Sequence, residues 1–167
     1  MPDAVLIGGV NGAGKTTFAR NLVPRAYPDA IFLNADEIQR EGGDFASPLR
    51  AGRELLARLA QAEQRQQSFV LETTLSSSGY ATRFAAWRRD GFRITLHYLR
   101  VVSADFAVSR VAERVAAGGH SVPEQDIRRR HGRSLRLFEQ LYRPAVDLWY
   151  LYEVDETGAH LLADRDR

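Results

Sequence analysis

The chain is 167 residues long, 44% hydrophobic and 26% charged, with a formal net charge of +2, the balance of one soluble globular domain spanning residues 1–167. No apolar stretch approaches membrane-spanning length, which excludes a helical membrane protein and predicts no membrane partner, and the lack of cysteine excludes disulfides and thiolate metal centres. Mild positive charge permits a phosphorylated ligand without demanding nucleic acid, and an N-terminus that runs directly into an apolar segment without a leader pattern predicts a cytoplasmic protein.

In chain order, Ala4–Val10 reads as a buried strand, and the run Gly9-Val10-Asn11-Gly12-Ala13-Gly14-Lys15-Thr16 follows it. That run is a glycine, four free positions, then Gly-Lys-Thr, the pattern of a phosphate-binding loop. A helix over Thr16–Leu22, stopped before Pro24, completes the strand, loop and helix that the motif requires. Next come a strand at Ala30–Asn34, a helix at Leu49–Gln67 opened by Ser47-Pro48, and a strand at Ser68–Glu72. A helix over Gly79–Asp90 closed by Gly91, a strand at Arg93–Arg100 and a helix at Ala104–Ala117 follow. After Gly118-Gly119, Ser121-Val122-Pro123-Glu124 resembles a capping box that opens a long helix toward Tyr142. Trp149–Val154 is a further strand, and the turn composition of Asp155-Glu156-Thr157-Gly158 suggests a final hairpin strand at His160–Ala163. Alternating strands and helices predict an α/β fold of the P-loop NTPase type, with a mostly parallel sheet and helices on both faces.

The chemistry centres on the loop. Lys15 is the one lysine among 23 basic residues, placed where a compact ammonium can reach the β- and γ-phosphates of ATP. Asn11, Gly12, Ala13, Gly14, Thr16 and Thr17 complete the nucleotide contacts: backbone N–H groups cradle phosphate and the Thr16 hydroxyl binds Mg²⁺. In such sheets the active crevice lies beyond the carboxyl ends of the strands. There Asp36 is read as the base that takes an acceptor hydroxyl's proton, the alternative being an ordinary helix cap. Glu72 closes an apolar strand and either holds Mg²⁺ through water or grips the substrate. Thr73 and Thr74 add hydroxyls at the same rim or serve only as polar turn residues. Arg110 and Arg114, with Arg128, Arg129, Arg130, Arg133 and Arg136, suggest an arginine-rich helical lid of which most members simply face solvent. Arg129, Arg133 and Arg136 share a face, so an RNA-backbone patch is a weaker alternative, with few aromatics interleaved to support it. No Leu-Ser-Gly-Gly-Gln or Asn-Lys-x-Asp segment is present, which disfavours transporter-type ATPases and regulatory GTPases.

Four ordered blocks carry a family resemblance: Gly8–Thr17, Asn34–Ile38, Glu72–Ser76, and Arg110–Arg114 leading into Gly118–Pro123. Together they resemble the zeta-toxin family of P-loop kinases, in a short single-domain form, over about residues 4–152. The resemblance implies ATP-dependent phosphorylation of a sugar hydroxyl on a UDP-amino sugar such as UDP-N-acetylglucosamine. It implies Lys15 on the phosphates, Thr16 on Mg²⁺, Asp36 as base, Glu72 and Thr73 on substrate, and Arg114 and Arg128 on the γ-phosphate. It also implies a small antitoxin partner that blocks the ATP site. The longer members carry helical additions that this chain lacks, and substrate grip often resides in them. A polynucleotide or nucleoside kinase and a non-catalytic nucleotide-binding regulatory module are the competing readings.

Overall fold

The computed structural model describes residues 1–42 and 47–165; residues 43–46 and 166–167 of the expected 1–167 domain lie outside the described set. Six strands form one sheet in the order β2-β3-β1-β4-β5-β6. They are β1 (Asp3–Gly8), β2 (Ile31–Leu33), β3 (Phe69–Thr73), β4 (Arg93–Val101), β5 (Leu148–Asp155) and β6 (Gly158–Arg165). All neighbours pair in parallel except β5 and β6, which form the antiparallel hairpin suggested by the turn at Asp155–Gly158.

The helices α1 (Lys15–Ala26), α2 (Ala35–Glu41), α3 (Pro48–Gln64), α4 (Phe84–Arg89), α5 (Ala104–Ala116) and α6 (Glu124–Leu137) cover both faces. Successive strand residues alternate between two cores. Ala4, Leu6, Phe69, Leu71, Ile94 and Leu96 pack with α3 and α4, while Val5, Ile7, Val70 and Leu99 pack under α1 and α5. Both faces of β1 are therefore apolar, which is why its sequence is an unbroken hydrophobic run. Among the described residues no helix is long and apolar enough to cross a membrane.

Three expectations are corrected. Helix α1 does not stop before Pro24 but contains it, because a proline in the last turn forfeits only its own bond to the Arg20 carbonyl, and Tyr27 N–H still closes on the Val23 carbonyl at 2.9 Å. The Ser121 capping box does not form: α6 begins at Glu124 behind Pro123. A cap at Ser121 would put Val122 in the first turn, and a residue before proline avoids the helical conformation. The helix after Gly79 starts only at a short 3₁₀ turn, Ala81–Arg83, before α4. The long helix does reach Tyr142, its last stretch as a π turn over Phe138–Tyr142. Four residues overshoot one α turn by about 40°, and the wider turn absorbs that drift. Ser134, Phe138 and Tyr142 can then all be fully buried.

Candidate active site

The phosphate loop joins β1 to α1. Gly14 caps α1 at φ 76°, a left-handed conformation that glycine adopts without strain, and the space where its Cβ would stand is open. Gly12, at φ 88°, is held by packing too, since a Cβ there would lie 2.4 Å from the Ala107 carbonyl oxygen of α5. The Lys15 side chain is 8% exposed, and its Nζ donates to the Val10 carbonyl at 3.1 Å across the loop. Burial pulls the Lys15 ammonium below its ordinary pKa. Glu72 and then Asp36 pull it back up, and Arg114 and Arg130 press it down again. One ammonium thus senses two carboxylates and two guanidinium groups.

Pairing in register with β1 sets Glu72 beside Ile7, on the same sheet face as α1. Thr16 Oγ1 lies 3.1 and 3.0 Å from the two Glu72 carboxylate oxygens, and Asn34 Nδ2 donates to Glu72 Oε2 at 2.7 Å. Burial pushes the Glu72 carboxyl above its usual range, while Lys15 and the Thr16 hydroxyl favour its ionised form. A hydroxyl and a carboxylate in contact are hard oxygen donors, which fits Mg²⁺. Among the described residues no group of three or more His, Cys, Asp or Glu could hold a metal alone, so a cation here would share its shell with phosphate oxygens.

Helix α2 begins at the end of β2, and Asn34 caps it: Asn34 Oδ1 accepts from Asp36 N–H at 2.7 Å and Glu37 N–H at 3.3 Å. Asp36 is therefore not the cap. It sits exposed in the first turn, within electrostatic reach of Lys15. Thr73 leaves β3 on the opposite face from Glu72, and its Oγ1 accepts from Leu75 N–H at 3.2 Å, steadying a turn in which Leu75 has φ 48°.

The arginines divide sharply. Arg114 donates through Nη2 to the His120 carbonyl at 2.8 Å, and its Nε is buried without a partner. Arg128 is turned away from the loop into exposed ion pairs with Asp105 at 2.7 Å and Glu124 at 2.8 Å. Arg130, two residues and about 200° further round α6, instead donates to Asn11 Oδ1 of the phosphate loop at 2.9 Å. The sequence placed Arg130 in the cluster but gave no reason to choose it over Arg128, because the choice depends on how α6 is rotated against the loop.

A cleft of about 510 Å³ opens beside the loop and was not foreseen. Ala13, Gly14 and Thr17 form its inner wall, Arg110 of α5 one side, and the β5–β6 turn from Asp155 to Ala159 the other. The turn signal at Asp155–Gly158 was legible in sequence; its position across from Arg110 was not.

Comparison with known proteins agrees with this fold. A protein from Haemophilus influenzae, itself uncharacterised, is 26% identical over 131 residues, covering 77% of this chain and 91% of its own. A structure of the PezAT chromosomal toxin–antitoxin system of Streptococcus pneumoniae is similar at a TM-score of 0.71 and 14% identity, over 98% of this chain and 72% of that one. Shikimate kinase from Acinetobacter baumannii, in complex with shikimate, is similar at a TM-score of 0.52 and 21% identity, over 93% and 84% of the two chains. At these identities the structural likenesses define a P-loop kinase-like fold. The family model described as AAA domain matches residues 5–137, and the chain belongs to that family.

Proposed function

We propose that the protein is an ATP-dependent phosphotransferase that moves the γ-phosphate to an acceptor hydroxyl. The observation that carries this reading is the phosphate loop with Thr16 held against Glu72 and Arg130 against Asn11, and with Asp36 and Arg114 close enough to act on the Lys15 charge. An acidic first turn also complements the α2 dipole, but Asp36 in addition acts on the Lys15 charge. In this reading the N–H groups of Asn11–Thr17 and the Lys15 ammonium hold the triphosphate, and the base of ATP lies in the cleft between Arg110 and the β5–β6 turn. Thr16 and Glu72 would hold Mg²⁺, which would neutralise phosphate charge. Asp36 accepts the proton of the attacking hydroxyl. Arg114, whose Nε lacks a partner, and Arg130, which can exchange Asn11 for phosphate, meet the charge on the transferring group. Arg130 takes the role that the sequence reading gave to Arg128.

The acceptor we favour is a sugar hydroxyl of a UDP-amino sugar such as UDP-N-acetylglucosamine, as the ordered motif set implies; the likeness to the PezAT toxin–antitoxin structure bears on the partner. The same likeness makes a small antitoxin covering the ATP site the partner to test, by asking whether a neighbouring small protein co-purifies and blocks ATP binding. A polynucleotide or nucleoside acceptor is the second reading. It is favoured by Arg133 and Arg136, exposed on α6 one and two turns beyond Arg130. The deciding experiment offers labelled ATP with UDP-sugars, nucleosides and 5′-hydroxyl RNA in parallel, using wild type and Asp36→Asn. We expect one acceptor class to be phosphorylated, and Asp36→Asn to bind ATP normally while losing about 10²- to 10⁴-fold in transfer. Clear ATP binding with no product from any acceptor would overturn the kinase reading.

A further inference from the structure

The side chain of Asn34 touches both halves of the proposed site. It is 4% exposed, at the junction between β2 and α2. Its Oδ1 accepts the Asp36 and Glu37 N–H groups, so its Nδ2 must face the other way, where it donates to Glu72 Oε2 at 2.7 Å. A flipped amide would aim NH₂ at two N–H donors and oxygen at a carboxylate, so the orientation is fixed by chemistry. Glu72 in turn contacts the Thr16 hydroxyl through both oxygens. A continuous chain therefore runs from Thr16 through Glu72 and Asn34 to the backbone of Asp36.

We infer that Asn34 is a positioning residue that orients the Glu72 carboxylate for the cation at Thr16 while pinning the helix turn that carries Asp36. This deepens the phosphotransferase reading and rests on it for the role of Asp36, but its effect on cation binding stands without any acceptor. Capping alone needs only a side-chain oxygen, which serine or aspartate supplies almost as well as asparagine. Orienting Glu72 needs in addition a donor that reaches as far as Nδ2: a serine or threonine hydroxyl stops one bond short, and an aspartate carboxylate has no proton to give. An outer group that orients a metal ligand typically contributes 10- to 100-fold in affinity or activity.

The test compares wild type with Asn34→Ser and Asn34→Thr, since Asn34→Asp would set a second carboxylate against Glu72 in a buried site. Thermal unfolding reports the cap, and calorimetric titration with ATP, in the presence and absence of Mg²⁺, reports the cation. Both variants should unfold near the wild-type temperature and bind metal-free ATP as wild type does. The tightening produced by Mg²⁺ should fall about tenfold in both. Placing Asn34→Ser on a Glu72→Gln background should add no further loss, because the two act through one contact. Should Asn34→Ser not fold, Asn34→Thr carries the same comparison. Wild-type Mg²⁺ tightening in a folded variant would reduce Asn34 to a cap and overturn the inference, as would additive losses in the double variant. The acceptor assay on Asp36→Asn is separate: full transfer there would end the base assignment while leaving the Mg²⁺ result intact.

Discussion

Lys15 shows how much one residue can carry. An arginine-rich chain keeps its one lysine at a buried position, where the ammonium donates to the Val10 carbonyl. A guanidinium is wider, planar and forked, and does not fit the role of a point charge. Lys15→Arg should therefore fold, by circular dichroism and thermal unfolding, yet lose transfer; normal acceptor phosphorylation by that variant would count against the site. The reading of Asp36 gained in the same way from an atom-level contact. Sequence left it open between base and cap, and the Asn34 side chain, by taking the capping bonds, leaves the Asp36 carboxylate exposed in the first turn of α2. Arg128 and Arg130 illustrate the reverse. Both lie in one run of arginines, and no spacing rule distinguishes the residue that meets Asp105 from the residue that meets Asn11.

At the scale of elements, strands were legible because burial on both faces forces continuous apolar runs, while helix ends were less so. Pro24 reads as a stop, but it costs a single bond when it falls in a last turn. The Ser121 box reads as a start, but Pro123 rules out its first turn. Helix α6 acts as a strut: Arg130 reaches the phosphate loop, and one turn on, Ser134 accepts from Tyr98 O–H at 3.0 Å and donates to the Thr74 carbonyl at 2.7 Å. The cleft between α5 and the β5–β6 turn supplies a test of its own. If Arg110 covers the nucleotide base there, Arg110→Ala should weaken ATP about fivefold, the value of one exposed cation–π contact, without weakening inorganic triphosphate. Equal weakening of both ligands would assign Arg110 to the phosphates instead.

Across the whole molecule, stability depends on a buried polar centre that the active site does not use. His97, on β4, is 4% exposed and stacks on Tyr150 with ring centres 4.8 Å apart. Its two ring nitrogens meet the hydroxyls of Tyr27 at 3.2 Å and Tyr152 at 3.3 Å. Burial lowers its pKa from 6.5 to about 4, so the folded protein holds it neutral where the unfolded chain would already be protonated. Its contribution is complete above pH 6.5 and is lost as pH falls toward 4, by about 2 kcal/mol at pH 5. Denaturant unfolding between pH 7 and pH 5 should therefore show a steeper loss in wild type than in His97→Gln, which keeps a donor and an acceptor but cannot be protonated; equal slopes would refute this.

The sequence by itself determined the α/β architecture, the phosphate loop and the two strand-end carboxylates. Each is written locally, in hydrophobic periodicity, in glycine spacing or in the residue that ends an apolar run. Only the tertiary structure decided which groups act together. The parallel pairing of β1 with β3 brings Thr16 against Glu72, the rotation of α6 sets Arg130 rather than Arg128 against Asn11, and the approach of the β5–β6 hairpin to α5 opens the cleft. These contacts join residues 56 and 119 positions apart, a range at which spacing along the chain carries no information about distance in space.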